Sequence, residues 1–209
     1  VSGLRPPGDL AAAHASSQWP LVEIEAASLL RLTRYPATEP YWGRGRRYRF
    51  DDPAGVYGVT YGAGRLDVAF AETVLHEQGA FIDGRWVIDQ RRIDERFIVR
   101  FRRPAGQPLR LADLTGSALK RLGLNNDLSA SDNYLPSMQV SAAVHAQLPQ
   151  ADGILYISRQ LNTHQAVALF ERCAVTCDPQ PLALAAHPDF PGLLDQFGVE
   201  LLPSTASPD

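Results

Sequence analysis

Apolar and polar positions along this chain follow two periods, and the change from one to the other marks its elements. Over 65–78, RLDVAFAETVLHEQ spaces its apolar residues as one helix face does, entered through the glycine turn GAG. YLPSMQVSAAVHAQL, 134–148, predicts an amphipathic helix with Pro136 in its first turn. Shorter helices are predicted over SALKRLG, closed by Gly123, and over GLLDQF near the end of the chain. Strands are predicted in SLLRLTRY (28–35), VYGVTY (56–61), QPLRLADLTG (107–116) and VELL, and within 91–104, where Phe97, Val99 and Phe101 alternate onto one face. ADGILYISRQ (151–160) and AVALFERCAV (166–175) carry apolar runs that predict buried strands. Two stretches lack periodicity: 36–55, rich in proline, glycine and arginine, and the polar 124–133. Strands outnumber helices without a regular βαβ alternation, so the expected class is α+β. The expected organisation is a lead-in over 1–27, one domain over 28–176, and a C-terminal extension over 177–209 that packs on it.

Composition narrows the classes. The chain has 209 residues, 45% hydrophobic and 21% charged, enough to bury a core without staples. Its formal net charge of −3 gives no electrostatic reason to expect direct nucleic-acid binding. Cys173 and Cys177 exclude a disulfide framework, and Cys-x3-Cys without nearby partners is a poor zinc site, so no metal is expected. That cysteine usage suits a reducing cytoplasm. The opening stretch lacks the apolar segment of a signal peptide, and no apolar run approaches the ~20 residues of a membrane helix.

Four positions carry candidate chemistry. Glu72 shares a helix face with Val68 and Leu75, four before and three after it. A charge there is costly unless it is paired with an arginine at the core's rim or opens onto a cleft. Arg31 interrupts the apolar LLRLT, either as an anion clamp with a planar fork or as an edge-strand residue facing water. Tyr61 ends a strand before the glycine turn, as a stacking platform for a flat ring or as a core-edge aromatic. Ser158 ends GILYIS without a G-x-S-x-G elbow, so it does not read as an acyl nucleophile. The GRGRRYR stretch reads as a phosphate loop or as a solvated basic surface, and the histidines form no H-E-x-x-H pattern.

Taken in order, these residues resemble a known family. LLRLTR, RYRFDDPAGVYGVTYGAGRLDVAFAETVLHE, YLPSMQVSAAVHAQL and DGILYISRQLNTHQAVALF are similar to segments of RES-domain proteins, the toxin half of RES–Xre toxin–antitoxin pairs. The resemblance spans residues of about 28 to 172. It implies Arg31, Glu72 and Ser158 as the three residues that name the family, with Tyr61 as its strand-end tyrosine. It also implies Arg49 as a second phosphate ligand. Here Tyr48 replaces the family's usual glycine and Asp51 its asparagine, which leaves Arg46 and Arg47 as alternatives. The implied fold is a split antiparallel β-sandwich with flanking helices, similar to ADP-ribosyltransferases, with NAD in its cleft. The implied activity is cleavage of the nicotinamide–ribose bond of NAD+ by water or inorganic phosphate, with NAD as substrate and no bound cofactor. Transfer of ADP-ribose to a protein is the enzymatic alternative, and a non-catalytic binding module the alternative from another class. The implied partner is an Xre-like helix-turn-helix antitoxin, and a homodimer within the complex is compatible with the resemblance.

Overall fold

A computed structural model describes residues 19–104 and 107–203. The first 18 residues of the expected lead-in and the last six of the extension therefore lie outside the described residues. The strands are β1 (Leu21–Ile24), β2 (Leu30–Thr33), β3 (Val59–Ala63), β4 (Ala80–Ile82), β5 (Arg85–Asp89) and β6 (Phe97–Arg102). They continue as β7 (Leu109–Leu114), β8 (Gly153–Ile157), β9 (Gln165–Phe170), β10 (Thr176–Cys177), β11 (Leu182–Ala183) and β12 (Val199–Leu202). The main sheet runs β1-β7-β8-β9-β3-β2-β6-β10, with β11 also on β6; β12-β5-β4 forms a small second sheet. Pairings are antiparallel except β7 with β8 and β5 with β12. The class is α+β.

Both faces of the main sheet's centre are covered. Ala112, Ile154, Tyr156, Ala168 and Phe170 point into one apolar cluster, and Leu111, Leu155, Val167 and Leu169 into another. That is why β8 and β9 read as continuous apolar runs in the sequence. The second run ends as a strand at Phe170; residues Glu171–Cys173 form a single 3-10 turn. Arg172 there donates to the carbonyls of Ala151, His145 and Leu148 at 2.9, 2.6 and 2.7 Å, pinning a helix end to the sheet.

β2 and β3 share one registered pair, Leu30 with Ala63. Beyond it the two strands are not paired with each other, and this parting divides the main sheet into two halves. Gly62 sits at the joint. A Cβ there would lie 2.7 Å from the Phe101 ring and 3.0 Å from the Leu30 carbonyl oxygen, so the approach requires glycine.

Helix α1 begins at Leu66–Phe70, passes through a π turn at Ala71–Leu75 and ends at His76–Gln78. Its buried residues Val68, Phe70, Val74 and Leu75 join the larger cluster. The expected helix over 65–78 is present, but the π turn has no signature in its apolar spacing. The other helices are α2 (Gln90–Asp94), α3 (Gly116–Arg121), α4 (Asp127–Ala130), α5 (Leu135–Gln147) and α6 (Phe190–Phe197). Helix α4 lies in the stretch read as a polar loop, and β1 in the stretch read as lead-in. The hairpin β4–β5 was also not expected, although its signal is present. Asp83 and Gly84 both take positive φ, 49° and 81°, the requirement that an Asp-Gly pair meets between two strands.

Candidate active site

The parting of β2 from β3 opens a cleft of about 290 Å³, floored by α1 and roofed by the 36–49 loop. Arg31, Arg49, Tyr61 and Glu72 all line it. Ser158, buried behind the wall, touches Glu72. The five residues singled out in the sequence are therefore brought together, though 127 positions separate the first from the last.

Glu72 stands in the π turn of α1, which changes the direction of its side chain relative to a regular helix. Its Oε1 accepts from the Ser158 hydroxyl at 2.5 Å and from the amides of Arg159 and Gln160 at 3.0 and 3.4 Å. The Ser158 oxygen in turn accepts from the Leu161 amide at 3.0 Å, which fixes the hydroxyl proton toward Glu72. Among the described residues no hydrogen bond engages Oε2. One carboxylate oxygen is thus clamped by the turn after β8, and the other is left for whatever enters the cleft.

Arg31 spans the parted strands. Its Nη1 donates to the Tyr61 carbonyl at 3.2 Å and to Thr60 Oγ1 at 3.4 Å, while Nε pairs with Glu39 at 3.0 Å. The Glu39 side chain is 2% exposed, so this ion pair orients the guanidinium firmly. Among the described residues Nη2 has no acceptor, so Arg31 presents one edge of its fork and not the whole of it. Arg49 is more deeply committed. It is buried, its Nη1 donates to the Leu128 and Ser131 carbonyls at 3.1 and 2.9 Å, and its guanidinium lies 4.6 Å from the Tyr134 ring centre. Burial lowers its pKa, opposed by nearby Tyr134 and Glu72.

Tyr61 turns its hydroxyl away from a solvent role. It donates to Asp51 Oδ1 at 2.9 Å and accepts from the Phe50 amide at 3.0 Å. Burial, then the Asp51 carboxylate, push its phenol well above the usual range. Its ring meets Tyr48 edge-on at 5.6 Å and lines the cleft with its remaining surface. Asp51 itself accepts from the amides of Arg47 and Tyr48 at 2.9 and 3.1 Å, so it ties the arginine-rich loop to β3. Its neighbour Asp52 accepts from the Ala54, Val56 and Tyr57 amides. The DD pair is therefore the signal that this loop is built and not merely solvated. Arg46 takes φ 56° and donates to the Ala54 carbonyl at 3.0 Å, and neither it nor Arg47 lines the cleft.

Several cleft residues escaped the sequence reading. Arg34, Arg96, Tyr134 and Tyr156 line the cleft, and Glu39 stands behind Arg31; they come from loops and strand ends, where a polar or aromatic residue carries no periodicity to mark it. Tyr156 is the exception in having a signal, since a hydroxyl on a fully apolar strand needs an outlet; burial, then Glu72, raise its pKa. Cys173 and Cys177 are free thiols that burial pushes up to about 11 and about 12. Among the described residues no cluster of three or more His, Cys, Asp or Glu side chains could hold a metal ion. No helix of the described residues is long and apolar enough to cross a membrane.

The fold is similar to that of a chain in the crystal structure of the M. tuberculosis MbcT–MbcA toxin–antitoxin complex. The TM-score is 0.60 at 17% identity, over 90% of this chain and 96% of that one. No curated protein matches the sequence. The RES domain family matches residues 26–191, a span that includes every side chain described in the cleft. With an arginine, a glutamate and a serine gathered at one parted sheet, the chain belongs to the RES domain family.

Proposed function

We propose that this protein is the toxin of a toxin–antitoxin pair and that it destroys NAD+ by breaking the bond between nicotinamide and ribose. The observation that carries the reading is Glu72: a carboxylate with one oxygen clamped and the other unengaged among the described residues, on the wall of a cleft shared with guanidinium groups. Family membership and the fold shared with a toxin–antitoxin complex support the biological role.

The chemistry follows from what the bond needs. When the C1′–N bond breaks, its electron pair leaves with nicotinamide, which departs neutral, so no strong general acid is required. The ribose is left with oxocarbenium character, as in glycoside cleavage. Fixed negative charge beside C1′ stabilises the transition state more than the ground state, because positive charge moves from the pyridinium ring onto C1′ and the ring oxygen as the bond breaks. Glu72 Oε2 supplies it, or binds a ribose hydroxyl beside it, while Ser158 keeps the carboxylate from turning away. Arg31 Nη2 faces the phosphates, and Glu39 sets its angle. The Tyr61 and Tyr48 rings give the nicotinamide a flat neighbour. A water or phosphate oxygen then bonds to C1′; a water gives its proton to solvent.

In this reading the uninhibited enzyme would exhaust its own cell's NAD+, so a cognate antitoxin with a helix-turn-helix domain restrains it. The test is product analysis with purified protein and labelled NAD+, with and without inorganic phosphate. Free ADP-ribose, or ADP-ribose 1″-phosphate when phosphate is present, supports cleavage. Label fixed on protein indicates transfer, and intact NAD+ contradicts the proposal.

A further inference from the structure

Arg96, the residue before β6, is a cation whose side chain has no hydrogen-bonding partner among the described residues. That side chain is 7% exposed and lines the cleft. Among the described residues no hydrogen bond engages its guanidinium, and its buried Nε is unpartnered. The nearest carboxylate, Glu77, is 3.9 Å from Nη2 and already accepts from the Tyr48 hydroxyl at 3.3 Å. Arg34 repeats the pattern on the end of β2. Its buried Nε is also unpartnered, and its Nη2 lies 3.6 Å from Glu95, which Arg91 holds at 2.7 Å. Burial lowers the Arg96 pKa; Glu77 opposes, while the like charges of Arg34, Arg31 and Arg92 add to the lowering.

A guanidinium carries five donors, and burying one unpaired is unfavourable unless an anion completes it. Here Arg96 and Arg34, each with a buried and unpartnered Nε, converge on a cleft that Arg31 also lines. Tyr48 and Arg91 take Oε1 of Glu77 and of Glu95, and the Oε2 atoms lie 3.9 and 3.6 Å from the two guanidinium groups, beyond hydrogen-bonding distance. We propose that Arg96 and Arg34 form a phosphate-group subsite in this cleft, separate from the Nη2 edge of Arg31. The planar fork of each matches tetrahedral phosphate oxygens. The group it takes is a phosphate of the dinucleotide or a free inorganic phosphate serving as acceptor. The inference deepens the reading of the cleft as a site for NAD+ and rests on it for those two sources.

Its test needs no turnover. Binding of inorganic phosphate and of ADP to the full chain is measured by calorimetry for the parent, Arg34→Gln and Arg96→Lys. The lysine variant keeps the charge and loses the fork, and Arg34, 28% exposed, tolerates glutamine without leaving a buried charge. We expect at least one probe to bind the parent and to weaken by about tenfold or more in both variants, the scale of a lost charge-assisted contact. A loss confined to inorganic phosphate assigns the subsite to the acceptor; a loss confined to ADP assigns it to the diphosphate. Equal affinity in parent and variants, or no binding of either probe to the parent, overturns the proposal. A parent that binds as expected but leaves NAD+ intact contradicts the proposed activity instead, so the two failures are distinct.

Discussion

The carboxylate of Glu72 is held from one side. Ser158 donates to it and accepts from Leu161, so a single hydroxyl links the catalytic candidate to the turn after β8. Ser158→Ala removes both bonds in a site where the serine is 1% exposed. The expected outcome is a stability loss of about 1–3 kcal/mol, from the unpaired Leu161 amide, together with a fall in kcat for NAD+ and little change in KM. Urea melts and steady-state kinetics check the two halves, and a variant with parental kcat removes serine from the positioning role. Glu72 was legible in the sequence because a charge among Val68, Phe70, Val74 and Leu75 needs a reason. Glu39 and Arg96 were not, because each stands in a loop or at a strand end whose composition would suit a solvated surface equally well. Only the folded chain shows that Glu39 is buried against Arg31.

At the scale of elements, the cleft depends on two devices. One is the π turn of α1, which a sequence pattern cannot register because one extra residue per turn leaves the apolar stripe nearly intact. The other is the 41–57 loop, folded by the side chains of Asp51 and Asp52 around two backbone turns, Tyr48 to Asp51 and Asp52 to Gly55. Asp51→Ala strips the acceptor from two amides and from the Tyr61 hydroxyl. It should cost about 1–3 kcal/mol, while Asp51→Asn, keeping one acceptor oxygen, should cost less. Thermal unfolding of the two variants measures the difference, and equal melting temperatures for Asp51→Ala and the parent would contradict this account of the loop. The helices α1 and α5, and β8 and β9 through their unbroken apolar runs, were readable from the chain. The short β1 and the β4–β5 hairpin were not, since three to five residues give too few positions for a period, and the Asp-Gly turn was the one local clue.

The whole molecule makes its site by failing to close a sheet. Pairing stops after Leu30 and Ala63, and the residues beyond that joint on both strands line the cleft instead of each other. Gly62 and Phe101 hold the joint tight, so the opening is a built gap with a fixed hinge end. On that arrangement rests the proposed function: a fixed negative charge and guanidinium groups line one cleft, and the proposed substrate is NAD+. The most direct measurement is the rate of NAD+ loss with purified parent and Glu72→Gln, alongside their melting temperatures. The account predicts that the parent consumes NAD+ and that Glu72→Gln, equally folded, does so ~10²–10³ times more slowly, the scale of transition-state electrostatics. Equal rates in the two proteins would contradict it.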